Sequence, residues 1–125
     1  MELNELRIGN LVTDEDGSRI LKVSKIVNEH SEQGAMAWEL NGAFGISIDR
    51  MSGIPIDESW MKRAGFKITG SINGKNQATF LYHKNGCSQP IRFNGRDNTF
   101  EPKYVHQMQN IYHALVGEEL IISEK

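Results

Sequence analysis

Apolar and polar positions alternate with a period of two along most of the chain, and in two places the pattern changes to that of a helix. Met36, Trp38 and Leu40 alternate with Ala37 and Glu39, and Phe44, Ile46 and Ile48 alternate with Gly45, Ser47 and Asp49. Further on, Phe66, Ile68 and Ile72 oppose Lys67, Thr69 and Ser71. Ala78, Phe80 and Tyr82 alternate with Thr79, Leu81 and His83, and Ile91 and Phe93 flank Arg92. One apolar face at period two predicts antiparallel strands covered on one side. Asn-Gly pairs at 41–42, 73–74, 85–86 and 94–95, with Asp16-Gly17 earlier, punctuate these runs. Both residue types tolerate the positive φ that two-residue hairpin turns need, so the strands should form hairpins and a meander.

The N-terminal part reads as a strand near Leu6–Thr13, an acidic turn at Asp14–Gly17 and a longer strand near Arg19–Val27, with a polar loop at Asn28–Gly34. The stretches "LRIGNLV" and "ILKVSKIV" resemble the first hairpin of small SH3-like barrels. Two helices interrupt the strands. "PIDESWMKRAGF" carries an N-cap in Asp57, Glu58 at the positive end, Lys62 and Arg63 at the negative end, and Gly65 to terminate it. The longer helix starts just after Pro102 and ends at Gly117, with Tyr104, Val105, Met108, Ile111, Tyr112, Leu115 and Val116 forming a wide apolar stripe. Leu120–Ser123 reads as a closing strand. The expected fold class is α+β, with antiparallel hairpins and a meander packed against one short and one longer C-terminal helix. One domain over 1–125 is expected, built from a hairpin sheet (1–53) followed by helix, meander and C-terminal helix (54–125).

Length sharpens this picture, since 125 residues are enough to bury a core without metal or disulfide staples. The single cysteine, Cys87, excludes an internal disulfide and any multi-cysteine metal site. No run approaches the ~18 apolar residues that cross a bilayer, and "MELNELRIGN" lacks the features of a secretory signal. A cytoplasmic protein without membrane partners is the expectation. Charge is segregated: residues 1–58 hold five basic and eleven acidic side chains, whereas 59–104 hold eight basic and two acidic. A basic segment of that kind can mark a nucleic-acid surface or simply complement the acidic half.

Candidate chemistry is sparse. "YVHQMQNIYHALV" runs thirteen residues without a charge, which leaves His106, Gln109, Asn110 and His113 opposite the apolar stripe. An ordinary solvated helix carries charged i, i+4 pairs there, so this stripe is a candidate interaction face for a protein partner or a second copy. Burial against the domain itself is the competing reading. The two histidines lie about 10.5 Å apart along the axis, too far to share a metal held at ~2 Å from each ligand. Cys87 lacks an identifiable base, although His83 is close in sequence, and no P-loop, dinucleotide fingerprint or nucleophile elbow occurs. No enzyme, cofactor or metal is therefore expected. Lys67, Lys75, Lys84, Arg92 and Arg96, interleaved with Phe66, Phe80, Tyr82, Phe93 and Phe100, form a candidate nucleic-acid face. The same aromatics also suit a core.

"ELRIGNLV", "GIPIDESWMKRAGF" and "KYVHQMQNIYHALVGEEL" together resemble small uncharacterised proteins of phages, prophages and mobile elements of the Bacteroides group. Those proteins carry PIPLTEEWLLKFGF-like and YVHQLQNLYFALTGEEL-like blocks in the same order. Here Asp57 stands in place of a threonine N-cap, and His113 stands where an aromatic residue is frequent. The resemblance implies no assigned activity and no catalytic residues. It fits a small non-enzymatic interaction protein, with nucleic-acid binding through residues 59–104 as the alternative and an enzyme without a recognisable motif as a third reading.

Overall fold

The computed structural model describes residues 5–17, 19–29, 32–38, 45–72, 74–84, 86–95 and 99–123. The chain divides into two compact units, Met1–Pro55 with Tyr104–Asn110, and Ile56–Lys103 with Ile111–Lys125. The start of the C-terminal helix, Tyr104–Asn110, belongs with the N-terminal unit.

In the first unit, β1 (Leu11–Asp14), β2 (Ile20–Glu29), β3 (Glu32–Trp38), β4 (Gly45–Ser47) and β5 (Met51–Ser52) form a curled antiparallel sheet in the order β4-β3-β2-β1-β5. A 3-10 turn, Ile48–Arg50, leads into β5, which returns to pair with β1. With β5 returning to the free edge of β1, the five strands make a curled half-barrel. Leu6, Val12, Leu21, Val23, Ala37, Ile46 and Met51 are buried together, with Ile26 and Ile48 partly buried against them. The spacing of Leu21, Val23 and Ile26 is two and then three, and a β-bulge absorbs the extra residue. Val23 faces Ala37 and Lys25 faces Met36, so Ser24 has no partner of its own and Ile26 returns to the apolar face. The segment read as a polar loop is mostly ladder, since Asn28 pairs with Gln33 and Glu29 with Glu32. The first strand begins later than expected because Arg7–Asn10 forms a turn, tied to β2 by Gly9 N–H donating to the Val23 carbonyl at 2.8 Å. The Asn41-Gly42 turn lies outside the described residues.

In the second unit, α1 (Glu58–Arg63) precedes an antiparallel sheet of β6 (Lys67–Ile72), β7 (Lys75–Lys84) and β8 (Cys87–Phe93), in the order β6-β7-β8. Asp57 caps α1, its carboxylate accepting from Trp60 N–H at 3.0 Å. At the other end Gly65, at φ 90°, donates to the Lys62 carbonyl and Phe66 N–H donates to the Met61 carbonyl, which is a Schellman closure. Gly74 and Gly86 take φ 79° in the two hairpin connections, as their Asn-Gly sequences predict. Asn94-Gly95 differs. Asn94 adopts φ 58°, its side chain donates to the Asn76 carbonyl at 2.8 Å, and the chain returns so that Phe100 bridges Phe93 in parallel.

Phe66 stacks on Phe93 at 4.5 Å between ring centroids and tilts against Phe80 at 5.3 Å, and Tyr112 meets Phe80 edge-on. Trp60, Met61, Ala64, Ala78, Ile91 and Leu120 complete this unit's buried apolar set. Residues 120–123 form no strand. Instead Ser123 N–H donates to the Arg63 carbonyl and Arg63 Nε donates to the Ser123 carbonyl, while the Arg63 guanidinium lies 4.1 Å from the Trp60 ring centre.

The longer helix, α2 (Val105–Val116), opens at Tyr104, whose N–H is accepted by Gln107 Oε1 at 3.2 Å, half of a capping box. It closes at Gly117, whose N–H donates to the His113 carbonyl at 2.9 Å. Val105 N–H donates to the Ile54 carbonyl, and Tyr104 bridges Pro55. Among the described residues, no helix is long and apolar enough to cross a membrane.

Candidate nucleic-acid interface

Three residues of the charge-free helix stripe, His106, Gln109 and Asn110, lie inside the first unit. Gln109 acts as a substitute strand: its Oε1 accepts Leu11 N–H at 2.8 Å and its Nε2 donates to the Gly9 carbonyl at 3.1 Å. Asn110 Oδ1 accepts from Arg7 Nε at 2.9 Å and from Asn10 Nδ2 at 2.8 Å, and its Nδ2 donates to the Glu5 carbonyl at 2.7 Å. Asn10 Oδ1 accepts Arg7 N–H at 2.6 Å. A primary amide offers an acceptor and a donor on two atoms bonded to one carbon. A carboxylate would repel the Gly9 carbonyl, and an ammonium could not accept from Leu11. This explains why the face is polar without charge.

His106 is fully buried and stacks on Tyr104 at 5.7 Å, with 7° between the rings. Neither ring nitrogen has a hydrogen-bond partner among the described residues, and the same holds for Thr13 Oγ1. Burial pushes the imidazole below its ordinary range, against a smaller upward pull from the Glu5 carboxylate. The expected interaction face is therefore corrected. His106 and Gln109 are buried, Asn110 is engaged with the N-terminal segment, and half-buried His113 belongs to the second unit. A partner cannot read the Gln109 and Asn110 amides, which are already bonded within the fold, nor the buried His106.

The candidate nucleic-acid residues fare differently. On the sheet of the second unit, Lys67 pairs with Thr79, and Thr79 pairs with Arg92, so the three share one cross-strand row. The next row, Ile68, Ala78 and Phe93, points to the opposite face, where Ala78 and Phe93 are buried. Lys67 and Arg92 are exposed and, with Lys75 on the same parity of β7, make no side-chain hydrogen bond or ion pair among the described residues. β6, β7 and β8 together contain no Asp or Glu. Lys84 closes β7 opposite Cys87, on the other parity, and Arg96 lies outside the described residues.

The aromatic half of that expectation is corrected for Phe66, Phe80 and Phe93, while Tyr82 is half-buried and Phe100 is exposed. Phe66, Phe80 and Phe93 form the packed ring cluster of the interior, so they offer no stacking platform. A bulge at Thr69 also changes the expected parity of β6. Ile68 faces Ala78 but Gly70 faces Gln77, which moves Gly70 and Ile72 into the rows of Gln77 and Lys75. Beside the cationic row lies an open hollow of about 350 Å³, lined by Thr69, Gln77, Thr79, Arg92, Gly95 and Thr99 along with parts of Ala78 and Phe93.

At the far end of the same face, His83 Nδ1 and Ser88 Oγ are 2.9 Å apart, both exposed. Cys87 pairs with Lys84 in the neighbouring row, which places it on the opposite face from His83. Among the described residues, no group of three or more His, Cys, Asp or Glu is placed to hold a metal ion. Comparison with known proteins adds no relative: no family model, curated protein or solved structure matches the chain.

Proposed function

We propose that this protein is a non-enzymatic nucleic-acid-binding module that engages phosphates through the outer face of β6, β7 and β8. The observation that carries this reading is the row Lys67–Thr79–Arg92, whose two cations are exposed and uncompensated on three strands that contain no carboxylate. Free cations on an open face release condensed counterions when they meet a polyanion, so the interaction draws its strength from the phosphate backbone. With the interior aromatics unavailable, recognition is led by charge and carries little sequence preference. The resemblance to proteins of phages and mobile elements suits such an accessory role.

The test is fluorescence anisotropy with a labelled oligonucleotide at two salt concentrations. Three contacts, from Lys67, Lys75 and Arg92, should give a slope of about −2 in log K against log salt for a single strand. The double variant Lys67→Ala/Arg92→Ala should lose most of that slope while keeping its circular dichroism spectrum. Absence of binding at low salt would overturn the proposal.

A further inference from the structure

We infer that the strand bound on this face is unpaired, with a base resting on Leu81 and Pro90 while its phosphate meets Lys67 and Arg92. This inference rests on the nucleic-acid reading above and adds the strand state. Leu81 and Pro90 are directly opposed across β7 and β8, two residues along from the Thr79–Arg92 pair in an unbroken register. They therefore project from the same face, about 7 Å from the cationic row at ~3.4 Å per residue. Leu81 is 63% exposed and Pro90 is exposed, so together they form an uncovered apolar step beside free cations.

A duplex presents phosphates on its outside and stacks its bases within, so docking it flat on this sheet would press Leu81 and Pro90 against charged backbone. A single strand has bases free to leave the stack and lay an apolar ring face on such a step. The 7 Å interval is within the reach of one nucleotide from its phosphate to its base. On the other side of the cationic row, the hollow contributes the Gln77 amide and the Thr79 hydroxyl. Neither side chain has a hydrogen bond among the described residues, so both can donate to sugar or phosphate oxygens.

The experiment compares a short single-stranded DNA with its blunt duplex at one low salt concentration, for the full chain and for Leu81→Thr. Threonine keeps strand propensity at this exposed position, and circular dichroism verifies the fold. The full chain should bind the single strand more tightly. Leu81→Thr should weaken single-strand binding about fivefold, the value of losing roughly one partly buried leucine contact, with an unchanged salt slope and unchanged duplex binding. Equal affinity for both forms, or no effect of Leu81→Thr on the single strand, overturns this inference and leaves phosphate binding standing. If neither the single strand nor the duplex binds, both readings are overturned.

Discussion

Asn10 and Asn110, one hundred positions apart in sequence, are joined by Asn10 Nδ2 donating to Asn110 Oδ1 at 2.8 Å. That bond sits at the centre of a network in which α2 provides amides and the turn before β1 provides backbone and the Arg7 guanidinium. The network ties the opening segment of the first unit to its helix by hydrogen bonds.

Removing one of these amides should cost more than an average surface change, because the backbone groups left behind are partly buried. Gln109→Ala would strand Leu11 N–H and the Gly9 carbonyl, and about 2–4 kcal/mol of stability should be lost in urea unfolding. Gln109→Glu keeps the acceptor but puts a carboxylate oxygen against a carbonyl. It should therefore also destabilise at neutral pH, and a variant as stable as the parent would contradict the network's role.

His106 predicts how stability depends on pH. Its folded-state pKa is lowered by burial, so the unfolded chain, with an imidazole near ~6.5, takes up a proton first as the solution is acidified. This contribution is constant above the unfolded pKa. Stability then falls as pH drops below ~6.5 towards the folded value, at no more than about 1.4 kcal/mol per pH unit for this one group. His106→Phe preserves a ring against Tyr104 and removes two unpaired nitrogens. Urea midpoints between pH 7.5 and 5.5 should show a smaller acid loss in the variant, with stability at pH 7.5 equal to or above that of the parent. An identical pH profile in both proteins would refute this.

Gly53 is required for a packing reason. A Cβ there would lie 2.6 Å from two carbons of the Tyr104 ring, in the segment that carries the Pro55–Tyr104 bridge. Gly53→Ala should cost about 1–3 kcal/mol through overpacking, and Gly53→Ala combined with Tyr104→Ala should recover part of that loss. Additive losses would show that the clash is not the cause.

Local chemistry was a sufficient guide to several elements. Asp57 and Gly65 bound a short helix because cap and terminator are satisfied by neighbours within a few residues. Asn73-Gly74 and Asn85-Gly86 mark hairpins because turn geometry is decided at the turn, whereas Asn94-Gly95 is drawn into a longer excursion by Asn76 and Phe100. The bulges at Ser24 and Thr69 were not legible, since a bulge is a property of two strands in register. In the candidate site, the basic residue types and their alternation could be read directly. That Lys67 and Arg92 share a row depends on the pairing of each with Thr79.

The uncharged stripe on α2 separates the two sources of information most clearly. Sequence by itself determined that the helix would form, where it would start and stop, and that its second face would carry amides and imidazoles in place of charge. Only the tertiary structure decided what those groups do. An amide suits solvent, a partner and a buried backbone equally well, so its role follows from what lies opposite. Here the Gly9–Leu11 backbone, Arg7 and Asn10, brought there by the fold, meet Gln109 and Asn110.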